Sequence, residues 1–206
     1  MTTFEDRISV LQQLGVREEF LPRLKKYVHF LWESNEDLNL ISRQMSFQDL
    51  LDNHVIDCLL PLSAFPKSIK NVADFGSGGG LPAVIYAILF PEVQFHLYEK
   101  SAKKQQFLQQ CQAFASNMHI HAEIPKELPA IDLVMARGFK PIDVILDMSR
   151  AYVQKSGRYF LLKARREKIQ EELDLAGKKF KSLKVQILPL KSPVLEVERH
   201  LVLIGF

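Results

Sequence analysis

Apolar residues along the chain follow two different periods, and the change falls near residue 70. In the first 60 or so residues they recur at helical spacing. Phe4, Ile8 and Leu11 lie at i, i+4 and i+7 behind a Thr2-x-x-Glu5 capping box, and Gly15 supplies a stop. Leu21, Leu24, Val28, Leu31 and Trp32 mark a second amphipathic helix. Ser46-x-x-Asp49 opens a third, with Phe47, Leu50, Leu51, Val55, Cys58 and Leu59 on its buried side. The mixed stretch from Asn35 to Arg43 reads as the loop between the last two.

Beyond residue 70 short apolar runs alternate with helical segments. Asn71 to Phe75 is a strand ending at glycines, and Pro82 suits the first turn of a helix reaching Leu89. Val93, Phe95 and Leu97 alternate as a strand up to Glu99. Ser101 then caps a helix burying Phe107, Leu108, Cys111 and Phe114. Ile131 to Ala136 and Arg158 to Lys163 suit central strands, separated by a helix from Pro141 to about Tyr152. Ile169, Leu173, Ala176 and Phe180 mark a last helix before two closing strands, Lys184 to Leu190 and His200 to Ile204. Such alternation predicts an α/β fold, a Rossmann-like doubly wound sheet that is mostly parallel and covered on both faces. The last two strands lack a helix between them and predict an antiparallel hairpin at one edge. The expected division is a helical N-terminal extension over residues 1–65 packed on a core domain over residues 66–206.

Length and composition narrow this without changing it. The 206 residues accommodate one α/β domain and an extension, and 47% hydrophobic with 25% charged residues is globular composition. No apolar run approaches the ~20 residues of a membrane span. Met1 to Asp6 lacks the basic and apolar pattern of a signal peptide, so a cytoplasmic location is expected. Cys58 and Cys111 are far apart and outside any ligand spacing, which predicts reduced thiols and no metal site. Residues 1–100 carry 9 Lys+Arg against 13 Asp+Glu, whereas residues 101–206 carry 18 against 11. A basic second half suits a polyanionic partner, and equally suits solvated helix faces.

The candidate chemistry lies in Asp74-Phe75-Gly76-Ser77-Gly78-Gly79-Gly80-Leu81-Pro82, between the first strand and the following helix. That is where open parallel sheets bind ligands. Gly76, Gly78 and Gly80 let backbone approach a ligand, and the helix start beyond them presents free N–H groups. Glu99 ends the second strand, where its carboxylate can accept from both hydroxyls of a ribose. A dinucleotide fingerprint would need glycine at Leu81, which disfavours a nicotinamide oxidoreductase, and the lysine of a phosphate-binding P-loop is missing.

The spacing Asp-x-Gly-x-Gly-x-Gly with a following acidic strand end resembles the class I S-adenosylmethionine methyltransferases. That resemblance implies cofactor contacts from Asp74, Gly76, Ser77, Gly78, Gly80, Leu81 and Glu99. Further segments occur in the order of one family: Asn39-Leu40, His54-Val55-Ile56-Asp57, Lys103-Lys104-x-x-Phe107-Leu108, Ala136-Arg137, Lys163, and Glu198-Arg199-His200-Leu201-Val202. From about Asp37 to the C-terminus the chain resembles the bacterial small-subunit rRNA guanine-N7 methyltransferases, also called the glucose-inhibited division protein B family. The resemblance implies a cytoplasmic monomer that uses S-adenosyl-L-methionine to methylate N7 of one guanine in 16S rRNA of the small ribosomal subunit, near the decoding site.

It also implies Arg137 at the pocket shared by cofactor and target. Lys163, Arg165, Arg166, Arg199 and His200 are the expected RNA contacts, with structural ion pairs and solvated helix starts as the competing reading. His54 with Asp57, and His119 with His121, read as structural pairs. Phe139 reads as a core residue that could instead stack on a base. The segment Ala122-Glu123-Ile124-Pro125-Lys126-Glu127-Leu128-Pro129 departs from the family, lacking its arginine. Counting without gaps from Asn117 places Pro125 and Lys126 at the adenine. Ala164 stands where the family has glycine. N7 of guanine bears a lone pair and no proton, so the missing Ser/His/Asp set suits the chemistry, which needs placement more than a general base. Two other readings remain: a methyltransferase acting on a protein or small molecule, and a non-catalytic RNA-binding assembly protein with the same fold.

Overall fold

The computed structural model describes residues 2–42, 44–181 and 183–205. Seven strands form one sheet in the order β3-β2-β1-β4-β5-β7-β6. They are β1 (Asn71–Phe75), β2 (Gln94–Tyr98), β3 (Met118–His121), β4 (Leu133–Arg137), β5 (Tyr159–Lys163), β6 (Val185–Leu190) and β7 (Arg199–Ile204). β1 to β5 pair in parallel, as the strand–helix alternation predicts. β7 runs antiparallel between β5 and β6, so the closing hairpin folds back with its second strand inside and β6 at the edge.

Alternate side chains of the central strands enter two separate cores, the consequence of a period of two in a sheet covered on both faces. Val72, Phe95, Leu133 and Phe160 face one core; Ala73, Phe75, Val134 and Leu161 face the other. The first face packs against α5 (Ala83–Leu89), α6 (Ala102–Cys111) and the N-terminal helices, whose Leu24, Val28, Leu31 and Leu50 are fully buried there. The second packs against α7 (Ile142–Met148), α8 (Arg150–Gln154) and α9 (Arg166–Lys179). Sheet order places β1 and β4 side by side, with their carboxyl ends opening where the strand order reverses.

The N-terminal helices are α1 (Ile8–Gln13), α2 (Leu21–Leu38), α3 (Phe47–Leu50) and α4 (Asp57–Leu59). Four details differ from the sequence reading. The first helix opens on Thr3 and Asp6, not Thr2 and Glu5. Thr3 N and Oγ1 donate to Asp6 Oδ2 at 2.7 and 3.0 Å, while Glu5 pairs with Lys25. α2 runs on to Leu38 through residues expected to be loop, because Asn35 turns inward and its Oδ1 accepts from Ile41 N at 2.8 Å. Arg43, the last residue of that expected loop, lies outside the described residues. Between α3 and α4 the chain winds as a π-helix over Leu51–Ile56. The expected helix from Pro141 to Tyr152 breaks at Ser149, whose Oγ bonds back to Ile145 O at 2.9 Å and meets Tyr159 Oη at 2.7 Å. The Ser46–Asp49 capping box is present in both directions. No helix among the described residues is long and apolar enough to cross a membrane.

Candidate active site

The glycine loop is stitched to the neighbouring strand before it meets any ligand. Gly76 N and Ser77 N both donate to Tyr98 O, at 2.9 and 3.1 Å, so the end of β2 holds the loop's entry. Ser77 O then accepts from Gly80 N at 2.7 Å, and Gly80 O accepts from Val84 N in the first turn of α5. Two glycines are forced by geometry. At Gly80, with φ +83°, a Cβ would lie 2.3 Å from Val84 Cγ2 and 3.1 Å from the Tyr27 hydroxyl. At Gly76, with φ +74°, a Cβ would lie 2.1 Å from the Phe139 ring. Tyr27, fully buried on α2, donates to Gly79 O at 2.7 Å, so the N-terminal extension buttresses the loop from behind.

Glu99 stands at the mouth. Its Oε2 accepts from Gly78 N at 2.9 Å and its Oε1 from Ser101 N at 2.8 Å. Ser101 thus meets Glu99 through its backbone, and its hydroxyl makes no capping bond to α6. Each carboxylate oxygen retains a lone pair for a further donor. Gly76, Ser77, Gly78, Leu81, Glu99 and Arg137 line one cavity of about 720 Å³. Its far wall is Ala122, Glu123 and Ile124; Pro125 and Lys126, expected at the adenine, are not among the lining residues. Asp74 and Gly80 are also outside the lining: both are buried, Asp74 near the end of β1 and Gly80 within the loop itself. Asp74 is 1% exposed, its Oδ2 has no partner among the described residues, and burial pushes its carboxyl up to about 7.

A second cavity of about 560 Å³ adjoins the first. The two share His54, Arg137, Gly138, Phe139 and Lys140 as a common wall. Arg137 is fully engaged there: Nε donates to Asp57 Oδ2 at 2.9 Å, Nη2 to Asn53 O at 2.8 Å, and Nη1 meets His54 Nδ1 at 3.2 Å. Asp57 Oδ1 accepts in turn from Arg199 Nε at 2.5 Å. One aspartate of the N-terminal extension therefore clamps arginines from the end of β4 and the start of β7.

Lys163 extends from β5 to Glu172 Oε2 at 2.7 Å and Lys140 O at 2.9 Å. His200 is buried with Nδ1 2.6 Å from Ala164 O. Lys163, Arg199 and His200 all line the second cavity. Arg165 and Arg166 follow Lys163 as exposed residues whose side chains have no hydrogen-bond or ion-pair partner among the described residues. Sequence reasoning passed over Tyr27, Asn53 and the placement of His54 and Phe139 between two cavities. Their contacts reach across many residues and leave no local spacing to read.

A sequence profile described as rRNA small subunit methyltransferase G matches residues 21–202. The chain is 63% identical over 201 residues to Ribosomal RNA small subunit methyltransferase G 1 of Bdellovibrio bacteriovorus, covering 98% of each chain. The chain belongs to the rRNA small subunit methyltransferase G family. It is also 30% identical over 195 residues to the protein of that name from Brachyspira hyodysenteriae, covering 93% of this chain and 94% of the relative. Among solved structures, a putative O-methyltransferase from Klebsiella pneumoniae superposes with a TM-score of 0.60 over 95% of this chain and 93% of its own, at 14% identity. That likeness concerns the fold, which is the class I methyltransferase fold. The methyltransferase G profile spans the lining residues of both cavities, from Leu40 to His200.

Proposed function

We propose that this methyltransferase carries the methyl group of S-adenosyl-L-methionine to N7 of a guanine in 16S rRNA, with cofactor in the larger cavity and base in the smaller. The observation that carries the reading is the common wall. Two adjoining cavities, one floored by a glycine loop and one rimmed by basic residues, suit a donor and an acceptor that meet face to face. The residues fit the cofactor. Gly76 and Gly78 expose backbone without a Cβ beside Ser77 and Leu81 in the cavity lining, and Glu99 offers spare lone pairs to a ribose. When bound, S-adenosylmethionine supplies an electrophilic sulfonium methyl.

The chain's own residues contribute placement and a dry wall. Phe139 lies against Gly76 and separates the cavities. Arg137, tied to Asp57, Asn53 O and His54, holds that wall with its donors already engaged. N7 attacks with its lone pair, so no side chain need take a proton. Arg165 and Arg166, exposed just beyond Lys163 and Ala164 in the chain, suit the phosphates around a splayed-out base. The reading includes a monomer acting in the cytoplasm, where small subunits are assembled.

The test is transfer of labelled methyl to small subunits purified from a strain lacking this protein, followed by borohydride reduction and aniline cleavage. One cleavage in 16S rRNA is expected. Incorporation without cleavage would move the reaction to another atom. No incorporation and no cofactor binding would make the protein a non-catalytic assembly factor.

A further inference from the structure

His54 stands in the wall common to both cavities, and its hydrogen bonds fix its tautomer. Arg137 offers only donors, through Nη1 at 3.2 Å and Nη2 at 3.3 Å, so the Nδ1 they meet must be the acceptor. In the neutral ring the proton then sits on Nε2. That nitrogen has no partner among the described residues and is not sealed from solvent, whereas a buried unpaired polar atom occurs at Asp74 alone among them. The wall therefore carries a neutral side-chain N–H donor, held in a set direction by an arginine that itself is spent on Asp57 and Asn53.

Guanine carries the acceptor O6 next to N7, while adenine carries an amino donor there. We propose that His54 Nε2–H donates to O6 of the acceptor base and so selects guanine over adenine, with Arg137 setting the tautomer. This rests on the functional reading above. As N7 forms its bond to the methyl carbon, the sulfur–methyl bond breaks and the sulfur leaves as a neutral thioether, so the purine, which loses no proton, takes on the positive charge. A neutral donor reads O6 without opposing that charge; an arginine in the same place would oppose it. Burial holds the imidazole down to about 4, and the Arg137 charge adds to this against the pull of Asp57, so the ring is neutral at physiological pH. An adenine would set its amino group against the Nε2–H, leaving both donors unpaired.

The experiment uses small subunits reconstituted with 16S RNA carrying guanine, inosine or 2-aminopurine at the guanine mapped by aniline cleavage. Methyl transfer is measured as kcat/KM for the wild type, His54→Ala and His54→Gln. 2-Aminopurine keeps N7 and lacks O6, and in the wild type it should fall about 10- to 100-fold, the effect of one lost buried hydrogen bond. Inosine keeps both atoms and should stay within a few-fold. His54→Ala should lose a similar factor on guanine and nothing more on 2-aminopurine. His54→Gln, whose amide can accept from Arg137 and still donate, should recover most of the rate.

Equal losses of His54→Ala on guanine and 2-aminopurine, or of His54→Ala and His54→Gln on guanine, would reduce His54 to a structural support and overturn the proposal. If His54→Ala does not fold, an absence of any 2-aminopurine penalty in the wild type overturns it equally. Wild-type transfer to guanine is the reference throughout. Its absence would sink the functional reading, whereas normal transfer without the O6 coupling sinks only the assignment of His54.

Discussion

Asp74 is buried near the end of β1 with one carboxylate oxygen unpaired among the described residues, and burial moves its pKa from the ordinary 3.8 to about 7. The Ser77 hydroxyl works against that rise and Glu99 adds to it. A carboxyl that ionises more easily unfolded than folded favours the folded state at low pH, and that advantage fades as pH rises through the folded value. The protein should therefore lose roughly 2–3 kcal/mol between pH 5 and pH 8 relative to Asp74→Asn, read from paired denaturant titrations at each pH. Parallel pH curves for the two proteins would show that Asp74 ionises freely. Glu99→Ala removes the acceptor of both Gly78 N and Ser101 N as well as the proposed ribose contact. Calorimetry should show cofactor affinity falling at least about 10-fold, with folding retained because the site is at the rim of the core. Unchanged affinity would remove Glu99 from the cofactor site. Glu99 stands out in the sequence because an acidic strand end after a glycine-rich turn is a local signal; Asp74 belongs to the same turn, but its burial away from the cavity lining was not readable from spacing. Arg137 was named as a pocket residue, but its use was hidden, since its partners lie 80 and more residues away.

At the level of elements, β1, β2, β4, β5 and β7 were readable because each is a short, largely apolar run, whereas β3 carries two histidines and the edge strand β6 is mostly exposed. The N-terminal helices were readable as periodic segments, and the details that failed have different causes: an exposed cap shifted by one residue, an inward Asn35 and a π-helical winding. Asn35 looks like a loop residue by type, yet it carries α2 further by satisfying Ile41 N. The winding of Leu51–Ile56 as a π-helix has no residue signature in this sequence. It lies in the segment whose Asn53 and His54 face Arg137 and whose next residue, Asp57, completes the clamp. Asp57 ties the extension to the carboxyl end of β4 and the start of β7 at once. Asp57→Ala should strand Arg137, whose side chain is only 18% exposed, and cost roughly 3–5 kcal/mol in chemical denaturation. Arg199→Ala should cost about 1 kcal/mol, because Asp57 would keep Arg137, and the double variant should fall little below Asp57→Ala alone. Additive losses would mean the two arginines are held independently.

Over the whole molecule, charge is sorted along the chain, with 18 basic against 11 acidic residues after position 100. Much of that excess at the second cavity is already spent inside the fold: Lys163 on Glu172, and Arg199 and Arg137 on Asp57. A polyanion meeting the second cavity would find Arg165 and Arg166 next in the chain after the lining residues Lys163 and Ala164, exposed and with no ion-pair partner among the described residues. Phosphate contacts release counterions, so each one lost flattens the dependence of log affinity on log salt by about 0.7 to 0.9. Arg165→Ala with Arg166→Ala should weaken binding to small-subunit RNA and lower that slope by about 1.5, measured by filter binding across a salt series. Lys163→Met should behave differently. Its lysine is consumed by Glu172, so losing it leaves a buried carboxylate with only Ile142 N, and stability should fall while the salt slope stays. If instead the Lys163 variant flattens the slope and the arginine pair leaves it unchanged, the RNA path runs through the cavity and not over Arg165 and Arg166. The basic second half of the chain would then be mostly structural charge.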